Sequence, residues 1–382
     1  MVLMVFVNDF WTVLDVPHFL EHYATMEDGM GLSDIIYPMF LFAVGMSIPY
    51  AIDRRYEKGL STESTLGHIF SRTLALLVMG TFICNQESRE MAGCRWLWIF
   101  LFVTGFFLVW NQYKPSFKPA KWLKWVGVLL LIGLAVYYRT PDGDYFEALW
   151  WGILGQIGWA YLFCALVYAL SRNVFTQAIT WVLLFAVCLC CTPTADYSLF
   201  QGQPILSLPE PNIVDLTLST LHIGNASSHL LVISGVLFSG LYLKWSAGFS
   251  RSRQTTATLL LGLGCFVLAA AFHQLFITSK IIGTLPWIFC TLGIDLVLYM
   301  LLDWLVAKGK STWLSFLQPA GTATLTCYMV PYLLYPLISI LMGWEWSSAI
   351  PEPFGIIKCI VFSAICIAIA WLLCKLSIRL KI

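Results

Sequence analysis

The segment that decides the fold runs from Val5 to Ile48: VFVNDFWTVLDVPHFLEHYATMEDGMGLSDIIYPMFLFAVGMSI. A short apolar stretch ends on Asn8. A polar loop follows with two histidines, His18 and His22, and five acids, Asp9, Asp15, Glu21, Glu27 and Asp28. Asp34 then stands at the head of a second apolar run, IIYPMFLFAVGMSI. The pattern is that of two membrane helices joined by a polar loop. An imidazole and several carboxylates are gathered where helix meets water.

The whole chain obeys the same logic. Of its 382 residues 59% are hydrophobic and 11% charged, whereas soluble domains carry roughly a quarter charged residues. So much apolar surface cannot be hidden from water, and lipid must be the solvent. The twelve cysteines fall mostly inside apolar runs with no CxxC pair or zinc-type spacing; they read as small buried hydrophobes, and no metal is expected. Acid and aromatics rather than small residues follow the first apolar stretch, so no cleavable signal peptide is expected.

A crossing helix needs about 20 apolar residues. Such runs lie near 34–52, 69–85, 96–111, 122–138, 150–170 and 177–192, then near 226–244, 256–276, 284–305, 321–343 and 354–377. Met1–Val7 is only ~10 Å of helix, too short to cross, and reads as a shortened or N-terminally truncated first helix. The expected fold is all-α: a polytopic membrane bundle of about 11–12 helices in one domain, 1–382. With the N-terminus inside, every Lys and Arg except Arg89, Arg95, Arg139, Lys280 and Lys358 falls on the inner side. The acids run the other way. The positive-inside rule then puts both termini in the cytoplasm and the opening loop outside. A second long outer segment, from Thr192 to about Ser227, carries Pro193, Pro204, Pro209, Pro211 and His222. Long loops among short ones usually cover or shape a site.

His22 can take a proton near neutral pH if a carboxylate fixes its other nitrogen. Glu21, Glu27, Asp28 and Asp34 are within reach in sequence. On spacing alone it reads first as a solvated loop histidine and second as a base. Asp34 before an apolar run reads as a helix cap, and Pro38 as a proline near a helix start, where it costs little. Asp295, His273 and Lys280 lie in or at the edges of spans, where ionisable groups are functional hypotheses by default. Asn85 and Gln156 sit near span edges too. Arg54, Arg55 and Arg72 suit phosphate, because guanidinium forks match its oxygens, although positive-inside topology is the better reading of them from sequence alone.

MVFVN, the loop with His22, and GLSDIIYPMFLFAVGMSI together resemble the heparan-α-glucosaminide N-acetyltransferase family and its bacterial relatives. Arg72-Thr-Leu…Gly80…Asn85 is similar to that family's next helix, and GILGQIGWAY (152–161) to a further block in which Gln156 replaces an arginine. SKIIGTLPW (279–287) looks like a boundary segment that would place Lys280 on a family lysine. The resemblance is specific over the first 85 residues and loose beyond about 170. Two additional helices near 96–138 point to the bacterial branch.

The resemblance implies a transmembrane acetyltransferase of a bacterial inner membrane. It would move the acetyl group of cytoplasmic acetyl-CoA to the amine of a terminal glucosamine of heparan-type glycan on the periplasmic side. His22 falls on the family's catalytic histidine as general base, or as a transient acetyl carrier. Asn8 falls on the asparagine that would stabilise the thioester oxyanion, and Asp34 would orient His22. Arg54, Arg55, Arg72 and Lys280 are the expected CoA-binding residues; Glu27, Asp28, Asn85 and Gln156 are expected at the acceptor. The expected partners are an amino-sugar glycan, membrane lipid and optionally a second copy of the chain, with no nucleic acid. Two alternatives stay open: a polysaccharide O-acetyltransferase, and a sugar or lipid-linked-glycan transporter using Asp295, His273 and Lys280 as its path.

Overall fold

A computed structural model describes every residue except 89, 207–212, 311, 344–349 and 352. Arg89, Pro209 and Pro211 therefore lie outside the described residues. The chain is all-α and polytopic. The short α1 (Val2–Asn8) is followed by a 3-10 turn, Phe10–Thr12, and a two-residue strand β1 (Val13–Leu14). After the loop come α2 (Leu32–Glu57), α3 (Thr62–Ser88), α4 (Arg95–Trp110), α5 (Ala120–Tyr137), α6 (Ile153–Ser171) and α7 (Val174–Cys191). Then come the short α8 (Ile213–Thr220), α9 (Ser227–Gly248), α10 (Arg251–Phe272) and α11 (Leu285–Ala307). The chain ends with α12 (Gln318–Thr322), α13 (Thr324–Met329), α14 (Pro331–Met342), strand β2 (Ile350–Pro351) and α15 (Phe354–Lys375).

Every apolar run read from the sequence is helical. Among the described residues ten helical stretches are long and apolar enough to cross a membrane, which makes this an integral membrane protein. α4, at 16 residues, is shorter. The stretch 324–342 is broken between α13 and α14, where Pro331 has no N–H to carry the hydrogen-bond ladder on. The opening α-helix is short, seven residues. The chain divides into two compact units, each described by itself.

The first unit comprises Met1–Pro17, Ala75–Gly155 and Thr312–Ile382. In it α4 packs on α5 and α14, while α1, α12 and α13 pack on α15. β1 pairs in parallel with β2. The short α1 is pinned by charge as well as by packing. Asp9, 1% exposed, receives Lys358 Nζ at 2.7 Å on each carboxylate oxygen and the Tyr335 hydroxyl on one of them. Lys358 also reaches Thr12 Oγ1 at 2.6 Å. Removing one partner of a buried pair strands the other charge, at a cost of about 3–5 kcal/mol. Lys358→Met should therefore lower the unfolding temperature in detergent sharply, and adding Asp9→Asn to it should recover most of the loss. Equal losses in the single and double variants would show the pair to be idle.

The second unit comprises His18–Leu74 and Gln156–Ser311. Here α2 packs on α9 and α11, α7 on α9, and α10 on α11. The helix α2 begins at Leu32, so Pro38 lies inside it rather than at its start. Its missing N–H leaves the Asp34 carbonyl without a helical partner. Trp287 Nε1 from α11 donates to that carbonyl at 3.0 Å. Tertiary structure thus repairs what the proline breaks. Trp287→Phe keeps an aromatic ring but removes the indole N–H and some buried volume, and should cost at least about 1–3 kcal/mol of stability. No change in unfolding temperature would refute this.

Candidate active site at the Asp34 end of the first long helix

The site is built on the start of α2. Asp34 is its third residue, and the Gly31 N–H donates to Asp34 Oδ2 at 3.1 Å while Asp34 N–H donates to Gly31 O. Asp34 therefore closes the helix start from within, where the sequence suggested it would cap from outside. Tyr23 N–H donates to the same Oδ2 at 3.1 Å. Two backbone donors thus hold one oxygen, and the side chain is 1% exposed. The other oxygen, Oδ1, lies 2.7 Å from His22 Nδ1.

An ionised carboxylate can only accept, so Nδ1 carries a proton, and in the neutral ring the lone pair is on Nε2. The His22 side chain is 50% exposed, so part of the ring is open to solvent. His18, by contrast, pairs with Glu27 at 2.9 Å and lies tilted against the Tyr23 ring.

Lys280 completes the group. It stands in the turn between α10 and α11, with Nζ 3.1 Å from His22 Nδ1, 3.4 Å from Nε2 and 3.8 Å from Asp34 Oδ1. Burial lowers its pKa from the ordinary lysine value, and the Asp34 carboxylate pulls it part of the way back. The turn is tied to the opening loop at several points. Thr278 N–H donates to Asp28 Oδ1 at 2.8 Å, Ser279 Oγ donates to the Thr25 carbonyl at 3.0 Å, and Gly29 N–H donates to the Thr278 carbonyl. Asp28 also pairs with His273 at 2.8 Å. The second long segment supports this turn in its described part. Ala195 N–H donates to Leu275 O, and the Tyr197 hydroxyl donates to His273 O at 2.7 Å.

The other expected residues go elsewhere. The four taken as CoA-binding are not brought together. Lys280 belongs with His22, whereas Arg54 and Arg55 lie at the far end of α2, about 30 Å from Asp34 at ~1.5 Å per residue. Arg55 donates to Ser64 O at 3.1 Å, and the Arg72 guanidinium lies 4.7 Å over the Tyr161 ring. Arg55 Nε and Arg72 Nε are buried without a hydrogen-bond partner. Such orphaned guanidinium donors fit an anion.

Of the expected acceptor residues, Glu27 and Asp28 are taken up by His18 and His273. Asn85 is 0% exposed and spends its amide on the backbone at Thr81 O, Glu147 O and Glu147 N. It fastens a loop. Gln156 Oε1 accepts from Tyr37 and Ser228 hydroxyls at 2.6 and 3.0 Å, a polar knot among α2, α6 and α9. Asp295 lies ten residues into α11 from Leu285, apart from His273 and Lys280, with neither carboxylate oxygen hydrogen-bonded. Asn8 is exposed and belongs to the first unit; its role stays with the resemblance.

Sequence reading missed the placement of Lys280 beside His22, which are 258 residues apart, and the indole of Trp287 on Asp34. No local periodicity connects such positions. No protein-family model matches the chain, and no curated protein matches it in sequence.

Proposed function

We propose that the chain is a membrane acetyltransferase that moves the acetyl group of acetyl-CoA to the amine of a terminal glucosamine of a heparan-type glycan. The observation that carries this reading is the Asp34–His22 pair, a half-exposed imidazole hydrogen-bonded through Nδ1 to a buried carboxylate. The resemblance of the opening segment agrees with it. A thioester is already activated, so the task is positioning and proton transfer. The amine nitrogen attacks the acetyl carbon, the C–S bond breaks towards sulfur, and the proton lost by nitrogen goes to His22 Nε2. Asp34 stabilises the imidazolium that forms. In this reading Asn8 would donate to the thioester oxygen as it gains charge. Arg54, Arg55 and Arg72 would hold the CoA phosphates on the cytoplasmic side, supported by the orphaned donors of Arg55 and Arg72. The charge bias of the loops supports placing His22 on the opposite face of a bacterial inner membrane.

One observation favours a second acceptor class. Lys280 beside His22 disfavours a positively charged ammonium there and tolerates a hydroxyl, which suits O-acetylation of a polysaccharide. Purified protein with labelled acetyl-CoA and a glucosamine-ended heparan oligosaccharide tests both. Transfer by wild type and none by His22→Ala is expected. Transfer to an oligosaccharide whose amine is already blocked would favour the hydroxyl acceptor. No transfer to either acceptor, or full transfer by His22→Ala, would sink the mechanism.

A further inference from the structure

The position of Lys280 says more than that a cation is nearby. Its Nζ is almost equally far from the two nitrogens of the His22 ring, at 3.1 and 3.4 Å. Those nitrogens flank a single carbon of a flat ring. In the ring plane, an atom at such distances from both would collide with that carbon. Nζ therefore lies above the face of the imidazole, out of line with the Nε2 lone pair. A cation over a neutral aromatic face is attracted to it, whereas two cations stacked at this distance repel.

The other acids of the loop are paired elsewhere or exposed. On the opening loop Glu27 is paired with His18, and Asp28 with His273. Glu21 is exposed, and Tyr23 contributes its backbone N–H. Among the described residues, Asp34 of α2 hydrogen-bonds the ring, Lys280 of the turn before α11 lies against it, and Trp287 meets the Asp34 carbonyl. One carboxylate thus faces one ammonium and one imidazole.

We infer that Lys280 is a positioning residue of the His22 site: its ammonium supplies the counter-charge to Asp34, holds the imidazole face and keeps that ring neutral with Nε2 free. The ties of Thr278 and Ser279 to Asp28 and Thr25 are what place it there. This assigns Lys280 to the base rather than to coenzyme phosphates. The inference deepens the proposed function, but its test does not depend on acetyl transfer.

Diethyl pyrocarbonate modifies neutral imidazole and not imidazolium, and mass spectrometry of peptides reads His22 individually. The full chain in detergent is treated at pH 6 and at pH 8, and the ratio of the two His22 rates is taken so that exposure cancels. In Lys280→Met the carboxylate is unopposed, and the pH 6 to pH 8 ratio should fall by about threefold or more, since one pKa unit corresponds to tenfold. Lys280→Gln should behave like Lys280→Met. Lys280→Arg, which keeps a cation able to lie on the ring, should retain the wild-type ratio. The ratio for His18 should be the same throughout. An unchanged His22 ratio in both neutral variants, or a fall in Lys280→Arg equal to theirs, overturns the inference. If the ratio responds while wild type transfers no acetyl group, the proposed function fails and the assignment of Lys280 stands. If transfer occurs and the ratio does not move, the reverse holds.

Discussion

Asp34→Asn is expected to lower acetyl transfer by about 10³–10⁴-fold, the scale seen when an aspartate that orients a catalytic histidine is made neutral, while the protein still folds. The substitution is nearly isosteric. An amide oxygen at the Oδ2 position can still accept the Gly31 and Tyr23 N–H groups, so the start of α2 remains closed. Its NH₂ then occupies the Oδ1 position, 2.7 Å from His22 Nδ1. An NH₂ group donates and cannot accept there, so the imidazole must present a bare Nδ1 and carry its proton on Nε2. The base is then blocked at the atom that should receive the acceptor's proton. Asp34→Ala behaves differently. It leaves two backbone donors unsatisfied, each costing about 1–3 kcal/mol, and should lower the unfolding temperature as well as the activity. Measured side by side, the two separate chemistry from folding. Asp34→Asn retaining activity within tenfold of wild type would remove Asp34 from the mechanism.

Much of the fold was legible because lipid imposes a simple rule on the sequence. Each crossing segment must be apolar for about 20 residues with its backbone bonded internally. The segments found as α2, α3, α5 to α7, α9 to α11 and α15 were visible for that reason. The break at Pro331 was less so, because the apolar run continues across it while the hydrogen-bond ladder does not. At the site, His22 and Asp34 were legible because they are only 12 residues apart and a helix starts between them. Lys280 was legible as a residue but not in its role. The turn that carries it is placed by Asp28, Thr25 and the segment around Ala195, all remote in sequence. Asn85 is a similar case. A polar residue at the edge of a span looks available, yet two of its three bonds to the backbone reach Glu147, 62 residues on, which composition does not reveal.

The second large effect concerns the crossing that holds α2 against α9. Gly45 on α2 and Gly235 on α9 face each other. A Cβ at Gly45 would overlap the carbonyl oxygen of Val232, and one at Gly235 would overlap that of Phe42. Both obstacles are backbone, which cannot rotate aside as a side chain can. Small residues at such crossings are what let membrane helices approach, since lipid supplies no hydrophobic drive between them. Gly45→Ala should therefore cost about 3 kcal/mol, the upper range for overpacking a core, and Gly45→Leu should yield no monodisperse protein. Glycines with open space around them, such as Gly264 on α10, provide the control. Gly264→Ala should leave the unfolding temperature unchanged or raise it, because alanine favours helix by about 1 kcal/mol over glycine. The consequence reaches the chemistry. Asp34 stands at one end of the helix whose middle is fixed by Gly45, and Tyr37 beside it hydrogen-bonds Ser228 of α9. Spreading α2 from α9 must disturb the helix start that holds the carboxylate. Acetyl transfer should thus fall in Gly45→Ala by more than the loss of folded protein explains. A variant with wild-type unfolding temperature would show that the two backbones do not meet as described.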